Sequence, residues 1–282
     1  MGLRSFFHKI RIGFQRKSNP SIPYTDSVKR YGSNGEEEFI RAIQQKLPEC
    51  KIKKNVMINT LDGRAEIDCL ILYRDKLFAI EVKRWKGHLV ENGNNFIQYK
   101  IDQWTDEIHT KIHKSPFKQL NRAVYLLRKQ NPDNAWLNTI VFFEESDHIE
   151  TQSDNVWFND IDKLTSYIVN SGKSSRRNNA SAFFDKCIAA DYLYHHSWGT
   201  SFLCCVVCDN SLRFNTPNGL LTKRNIYSIS ITHHWSYDEL KIKTLSGELL
   251  VSNLENSFIS VIDNGYIKRY ALSKIDRIQF GN

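Results

Sequence analysis

Residues 66–83 read EIDCLILYRDKLFAIEVK, two apolar segments separated by a short polar one. Residues 66–73 and 76–83 are both rich in Ile, Leu, Val, Phe and Tyr, a composition that favours β-strands. Arg74-Asp75 between them has the length of a two-residue hairpin turn. The stretch therefore predicts an antiparallel β-hairpin.

This hairpin brings charged side chains together at its open end. Paired residues have numbers that add up to 149, so Asp68 lies opposite Glu81 and Glu66 lies opposite Lys83, with Cβ atoms roughly 5 Å apart. Side chains alternate along a strand, so these four share one face of the sheet. Facing carboxylates repel each other, and a bound divalent cation removes that repulsion. A solvated ion pair at the end of an edge strand is the alternative interpretation.

A helical pattern precedes the hairpin and begins near Gly35. In it, Glu36 is in line with an apolar stripe at positions i+4, i+7 and i+11. The stripe consists of Ile40, Ile43 and Leu47. The pattern predicts a helix that packs on the core with Glu36 on the same side. A glutamate in a first turn is also favoured by the helix dipole alone, so this position has two explanations.

A second helical pattern follows the hairpin and begins near Ser115-Pro116. Serine is a good N-cap, and proline suits the first helical position. Gln119 lies one turn later, and apolar residues follow it at helical spacing. The pattern predicts a helix that carries Gln119 near its start.

Taken together, these motifs resemble the nuclease-related domain (NERD) family of the PD-(D/E)xK nuclease superfamily. The resemblance covers roughly residues 30–145, and its strength lies in the order of the motifs rather than in any single one. The matching motifs are Gly32-x-x-Gly35-Glu36, Glu66-Ile67-Asp68, Ile80-Glu81-Val82-Lys83, Lys86-Gly87 and Pro116-x-x-Gln119. The resemblance implies an α/β fold with a restriction-endonuclease-like αβββαβ core and a metal-dependent phosphodiesterase site at one sheet edge.

The resemblance also implies a role for each matching polar residue. Asp68, Glu81 and Glu36 are the implied ligands of Mg²⁺ or Mn²⁺, metals that prefer carboxylate oxygens. Lys83 is the implied residue that orients or activates the attacking water, and Gln119 is implied as a helix-borne residue of the catalytic site. A lysine beside two carboxylates should stay protonated. We therefore predict water orientation for Lys83 first and general-base action second.

The distribution of charge favours a nucleic-acid substrate. The chain has a formal net charge of +8, and residues 51–130 contain 16 Lys or Arg against 9 Asp or Glu. Lys53, Lys54, Arg84 and Lys86 are predicted to bind phosphate backbones without sequence preference. The resemblance suggests DNA as the substrate and a role in prokaryotic defence or DNA processing. A non-catalytic nucleic-acid-binding module that recruits a partner enzyme is the alternative, and the complete set of site residues favours the enzyme.

Composition and turn signals divide the chain into four parts. Residues 1–24 form a basic amphipathic segment that could make peripheral contact with a membrane or nucleic acid, or pack on its own domain. Residues 25–170 form the nuclease-like domain, and residues 171–181 a polar linker. Residues 182–282 contain repeated strand-length runs, which predict a smaller all-β domain, a small barrel that binds substrate, a partner protein or a second copy of the chain.

The six cysteines show no framework of evenly spaced pairs, so we expect free thiols and a cytoplasmic protein. Cys205-x-x-Cys208 has a spacing found in zinc sites, but it falls on a continuous apolar strand pattern, which favours a core strand instead.

Overall fold

The structure is a computed structural model and describes residues 27–102, 105–131, 135–171, 173–174, 179–196, 200–208, 213–216, 219–233, 238–244, 247, 249–254, 258–263 and 266–281. These residues form two compact units, Ser27–Ile188 and residues 189–281. The basic segment predicted at residues 1–24 lies outside the described residues. Within the described ranges, no helix has both the length and the apolar character needed to cross a bilayer.

The first unit combines helices with two β-sheets. Its helices are α1 (Ser27–Lys46), α2 (Pro116–Gln130), α3 (Ile161–Asn170) and α4 (Asn179–Lys186). Its strands are β1 (Lys51–Thr60), β2 (Gly63–Tyr73), β3 (Lys76–Lys83), β4 (Gly87–Asn92), β5 (Asn95–Ile101), β6 (Ile108–Lys114), β7 (Leu137–Phe143), β8 (Ser146–Glu150) and β9 (Val156–Phe158), and the short β10 (Ile188–Ala189) ends it.

The central sheet contains the predicted hairpin. Its five longer strands have the order β1-β2-β3-β7-β9, in which β1, β2 and β3 are antiparallel and β7 runs parallel to β3. The elements α1-β1-β2-β3-α2-β7 follow the predicted αβββαβ order. The hairpin register is also confirmed, since Tyr73 pairs with Lys76 and Cys69 pairs with Ile80.

Each face of this sheet is covered by helices. On one face, Phe39 and Ile43 of α1 join a buried core with Phe78, Ile80 and Val82 of β3. On the other face, α2 packs against the alternate strand residues, and this second core includes Leu70, Leu77, Ala79, Phe117, Leu120 and Leu127. The period-2 alternation of β2 and β3 therefore turns the acidic residues of the hairpin towards α2.

A four-stranded accessory sheet is inserted between β3 and α2, and the sequence patterns did not indicate it. Its order is β6-β5-β4-β8. Strand β8 comes after α2 and β7 in the chain and pairs in parallel with β4. The backbones of β4 and β5 approach each other closely at Gly87. Its φ is +86°, and an added Cβ would lie 2.3 Å from the Tyr99 carbonyl oxygen. Only glycine fits this contact between β4 and β5.

The division between the units lies at Ile188 and not at the polar segment 171–181. Helix α4 belongs to the first unit because Ala180, Phe183 and Phe184 are buried in the core beside α2. Lys53 of β1 binds the C-terminal end of α4. Its ammonium group donates hydrogen bonds to the carbonyl oxygens of Phe184 and Cys187, each at 2.7 Å. A polar segment can lie between two elements of the same core, so polarity alone did not locate the boundary.

The second unit is built mainly from antiparallel strands. They are β11 (Asp191–His196), β12 (Thr200–Val207), β13 (Arg213–Thr216), β14 (Gly219–Thr222), β15 (Ile226–His233), β16 (Asp238–Thr244), β17 (Leu249–Leu254), β18 (Phe258–Asp263), β19 (Tyr266–Ala271) and β20 (Ile275–Gln279). Eight of them form a sheet with the order β17-β16-β15-β20-β11-β12-β18-β19.

The sheet of the second unit is open, so the prediction of a closed small barrel was wrong. The last strand along the chain, β20, lies inside the sheet between β15 and β11 and therefore does not join two edges. Among the strands described, β17 and β19 form the two edges. Closure requires edge strands to pair with a consistent stagger. Strand lengths and turn signals carry no information about that pairing.

Candidate active site

Glu81 occupies the centre of the candidate site, near the C-terminal end of β3. Its side chain is 0 % exposed. The Oε1 atom accepts hydrogen bonds from Lys83 Nζ at 2.5 Å and from Gln119 Nε2 at 2.7 Å. The Oε2 atom is buried and has no hydrogen-bond partner among the described residues. Buried carboxylate oxygens are normally satisfied, so this atom needs an explanation.

Asp68 lies beside Glu81 but is held differently from the ideal cross-strand pair. The Oδ2 atom of Asp68 accepts the backbone N–H of Val82 at 2.8 Å and lies 4.0 Å from Lys83 Nζ. The backbone pairing of the hairpin ends at Cys69 and Ile80, one pair before these acids. Asp68 therefore bonds to the β3 backbone instead of continuing the ladder, and it stays close to the ammonium group of Lys83.

Glu36 on α1 interacts electrostatically with the same group of acids. The helix begins at Ser27, earlier than the pattern predicted, so Glu36 lies in the helix interior and the dipole of a first turn does not explain its position. Burial, followed by the negative charges of Asp68 and Glu66, raises the pKa of Glu36 from 4.5 to about 8. The charge of Lys83 opposes this rise. Glu36 is thus electrostatically part of the site.

The two central acids are also unfavourable as free anions. Burial, followed by the charge of Asp68, raises the pKa of Glu81 from 4.5 to about 8, although Lys83 opposes the rise. Burial raises the pKa of Asp68 as well, against the charge of Lys83 and the hydrogen bond from Val82. One ammonium group does not offset three clustered carboxylates. Without a further positive charge, these carboxyl groups therefore keep their protons to a higher pH than free carboxyl groups do.

Lys83 remains positively charged in this environment. Burial disfavours the ammonium ion, but the charges of Glu81 and Asp68 outweigh burial and raise the pKa of Lys83 above 10.5. The side chain is 19 % exposed, so its ammonium group lies at the boundary between the acids and solvent. A group in this state can donate hydrogen bonds and hold a charge, whereas it is a poor proton acceptor near neutral pH.

Gln119 lies in the first turns of α2, as the sequence indicated. Helix α2 begins at Pro116 after Ser115, although the Ser115 side chain makes no capping hydrogen bond. Through its amide N–H group, Gln119 fixes the Oε1 atom of Glu81. Gln119 therefore positions a carboxylate, and its contact leaves the Oε2 atom of Glu81 available for another ligand.

The donor set fits a hard divalent cation such as Mg²⁺ or Mn²⁺. Carboxylate oxygens are the ligands that these ions prefer, and Glu81 offers a buried oxygen without a hydrogen bond. A cation would also relieve the repulsion that raises the pKa values of Glu36 and Glu81. A buried acid of the second unit provides a contrast. Asp191 accepts hydrogen bonds from Lys223 at 2.5 Å and from the backbone of Val207 and Gly281, so both of its oxygens are used.

The basic residues predicted to bind nucleic acid have different environments. Lys53 donates to the carbonyl oxygens at the end of α4, so its ammonium group is engaged inside the fold. Arg84 contacts three carboxylates, those of Glu38, Glu144 and Glu145. Lys86 is exposed and lies 3.2 Å from Glu145. Lys54 is exposed on β1.

The Arg84 network has a structural role that the sequence motifs did not indicate. It joins the segment after β3 to α1 through Glu38 and to the turn after β7 through Glu144. Gly35 makes this approach possible, because an added Cβ would lie 2.7 Å from Glu144 Oε2 and 3.0 Å from Arg84 Cδ. A glycine inside a helix costs about 1 kcal/mol relative to alanine. At Gly35 this cost is offset because the missing side chain lets Glu144 and Arg84 pack closely against the helix.

One protein family matches part of the chain. Residues 31–144 match the family model described as a nuclease-related domain. The matched region contains all five residues of the candidate site, namely Glu36, Asp68, Glu81, Lys83 and Gln119. No curated protein and no solved structure matches the chain.

Proposed function

Because residues 31–144 form a nuclease-related domain, we propose that this protein is a metal-dependent nuclease that hydrolyses phosphodiester bonds of DNA. The observation that carries the proposal is the unpartnered Oε2 atom of Glu81 within a cluster of acids. Prokaryotic defence or DNA processing is the biological setting that we infer for this activity.

Asp68, Glu81 and Glu36 would hold the cation, with Mg²⁺ or Mn²⁺ as the expected metal. A divalent ion bound there supplies Lewis-acid stabilisation of the phosphate and lowers the pKa of a bound water. Gln119 and Lys83 hold the Oε1 atom of Glu81, so the carboxylate has a defined orientation before substrate binds. Such preorganisation avoids rearrangement during the reaction.

Lys83 contributes a fixed positive charge next to the reacting phosphate. The acids beside it raise its pKa, which supports the charged form through neutral pH. An ammonium group in this position would donate hydrogen bonds to the attacking water or to a non-bridging phosphate oxygen and stabilise negative charge that develops there. We therefore assign Lys83 to water orientation and charge stabilisation, and not to proton abstraction.

Exposed lysines of the accessory sheet are better placed to meet a DNA backbone than Lys53 or Arg84. Burial, followed by the charges of Lys111, Lys100 and Lys83, lowers the pKa of His113 to about 4. The ammonium groups of these three lysines therefore all influence His113 on β6. Lys100 and Lys111 are both exposed. We propose that they extend the positive surface from the catalytic lysine and attract phosphates without sequence preference.

The first test is cleavage in the presence and absence of divalent metal. Purified protein is incubated with labelled single-stranded DNA, double-stranded DNA and RNA in Mg²⁺, in Mn²⁺ and in excess chelator. We expect cleavage of DNA with either metal, none with chelator, and recovery when Mg²⁺ is added back, because three clustered acids need a cation to bind a phosphate. Binding of DNA without cleavage under all metal conditions would contradict the nuclease and support the binding module.

The variant Gly35→Ala should slow cleavage by roughly tenfold to a hundredfold with little loss of stability. The added methyl group would displace the side chains of Glu144 or Arg84, or else shift α1 together with the adjacent Glu36. Displacements of about 1 Å at a catalytic group have effects of this size, whereas alanine favours the helix. Cleavage rate and melting temperature are measured together, with the exposed α1 variant Gln44→Ala as the control. An unchanged cleavage rate in Gly35→Ala would refute the packing argument.

A further inference from the structure

A second group of metal-binding side chains lies on the accessory sheet, not on the sheet that carries the candidate active site. It consists of His88 on β4 with His148 and Glu150 on β8. One donor atom from each of the three residues lies within 4.8 Å of the others. The acids of the active site are not part of this group, so it has its own chemistry.

A bulge between β4 and β8 creates this arrangement. Gly87 pairs with Ser146, but the next residue, His88, pairs with His148, so Asp147 is an extra residue in β8. Bulges re-aim side chains in this way. The two imidazole rings consequently lie edge to face, with ring centroids 4.9 Å apart and an angle of 76° between their planes. Glu150 follows His148 by two residues and therefore projects from the same face.

The donor atoms converge, and Glu150 lies close to both imidazole rings. Glu150 Oε1 lies 2.9 Å from His88 Nε2 and 3.6 Å from His148 Nε2. In spite of the short contact, His88 Nε2 is a buried atom that makes no hydrogen bond in the described part of the chain. A buried ring nitrogen without a hydrogen bond is rare and calls for a ligand. The three donors lie within 4.8 Å of one another, so small side-chain rotations would bring all of them to a single ion.

We propose that His88, His148 and Glu150 bind a transition-metal ion of the zinc class. With bonds of about 2.0–2.2 Å and tetrahedral angles, the donors of such an ion lie roughly 3.3 Å apart. The contacts of 2.9 Å and 3.6 Å lie on either side of that value. Two imidazoles and one carboxylate favour Zn²⁺, Co²⁺ or Ni²⁺ over Mg²⁺, which prefers oxygen ligands. The fourth position is left for water, since His148 and Glu150 are exposed.

The ion would tie together two strands that continue from the active-site sheet. β4 follows β3, which carries Glu81 and Lys83, and β8 follows β7, the parallel neighbour of β3. β8 is an edge strand of the accessory sheet. A metal bridge across β4 and β8 would therefore hold that edge in place and stabilise the folded protein through binding.

The test uses a variant whose active site is disabled, so that only the histidine cluster is probed. Glu81→Gln protein that has been stripped of transition metals is kept in excess Mg²⁺, titrated with Co²⁺ and followed by visible absorption. Its melting temperature is measured with and without Zn²⁺. We expect one equivalent of Co²⁺ to give the absorption typical of imidazole-bound four-coordinate cobalt. At a hundredfold excess over its dissociation constant, Zn²⁺ should raise the melting temperature by about 5 °C.

Two further substitutions and a matched control identify the ligands. In the same Glu81→Gln background, His148→Ala and Glu150→Gln alter exposed side chains, so they should fold, and each should abolish the cobalt signal and the zinc-dependent shift. His109→Ala removes an exposed histidine from β6 of the same sheet and should keep both. An absent cobalt signal in the parent protein, or a zinc shift that survives His148→Ala, would overturn the proposal. Neither outcome bears on cleavage, which depends on the other metal site.

Discussion

The variant Glu81→Gln is expected to reduce cleavage by about a thousandfold, because a neutral amide replaces the central charged ligand of the site. Glutamine retains an oxygen that can accept from Lys83 and Gln119, as Glu81 Oε1 does. The neighbouring side chains should therefore keep their positions. What disappears is the charge on the carboxylate whose Oε2 atom is buried and unpartnered.

The same variant should be more stable than the wild-type protein at alkaline pH when metal is absent. Burial and the charge of Asp68 raise the pKa of Glu81 from 4.5 to about 8. Between these values the folded protein keeps a proton that the unfolded chain releases, so the free energy of unfolding falls as the pH rises. This stability is fully present below 4.5 and is lost as the pH passes through about 8. Glutamine cannot ionise, and this part of the pH dependence should vanish.

Both effects are measurable on one pair of proteins. Unfolding is followed in chelator at several pH values from 5 to 9, and cleavage is followed in Mg²⁺. Asp75→Asn is the matched control, because Asp75 is an exposed carboxylate in the turn of the same hairpin. It should change neither property. Cleavage by Glu81→Gln close to the wild-type rate would exclude Glu81 as a metal ligand, and equal pH slopes would exclude the raised pKa.

The variant Lys83→Ala is expected to reduce cleavage by about a hundredfold to a thousandfold. Lys83 Nζ lies 2.5 Å from Glu81 and 4.0 Å from Asp68, and these charges raise its pKa. The substitution removes the ammonium group that contacts Glu81 and Asp68, and with it the positive charge offered to the phosphate. Cleavage rate is the primary measurement, and the melting temperature near pH 6 establishes that the variant is folded.

A second substitution separates the two roles considered for Lys83. Arginine keeps a permanent positive charge but cannot take up a proton, so Lys83→Arg should retain part of the activity if the charge matters and none if proton abstraction matters. Lys76→Ala is the control, since Lys76 begins the same strand and donates to the Val169 carbonyl oxygen at 2.8 Å. An inactive Lys76→Ala would show that a general weakening of β3, and not lost chemistry, explains the result.

Much of the first unit could be predicted because its signals are local. The apolar alternation of residues 66–83 and the two-residue turn determine the hairpin register, which the pairing of Cys69 with Ile80 confirms. That register and the period of β-strands put Asp68, Glu81 and Lys83 on one face. The helical spacing around Gln119 likewise predicted α2, whose first turns reach Glu81.

The partners of the basic residues could not be predicted in this way. Lys53 and Arg84 were expected to bind phosphates, yet each is engaged by groups that are distant in sequence: the carbonyl oxygens that end α4 for Lys53, and the carboxylates of Glu38, Glu144 and Glu145 for Arg84. A charge binds the nearest complementary group in space. The sequence shows which charged residues are present, but it does not show which of them form ion pairs or hydrogen bonds in the folded protein.

The amino-acid sequence by itself determined the strands of the hairpin, the faces of its side chains and the acids that gather at its end, because a strand repeats every two residues and a short turn leaves one register. Only the tertiary structure decided that α4 belongs to the first core, that the second sheet stays open, and that a bulge aligns His88 with His148. These features depend on pairing and burial between segments far apart in the chain. No local period encodes such contacts, since they form only when the whole unit packs.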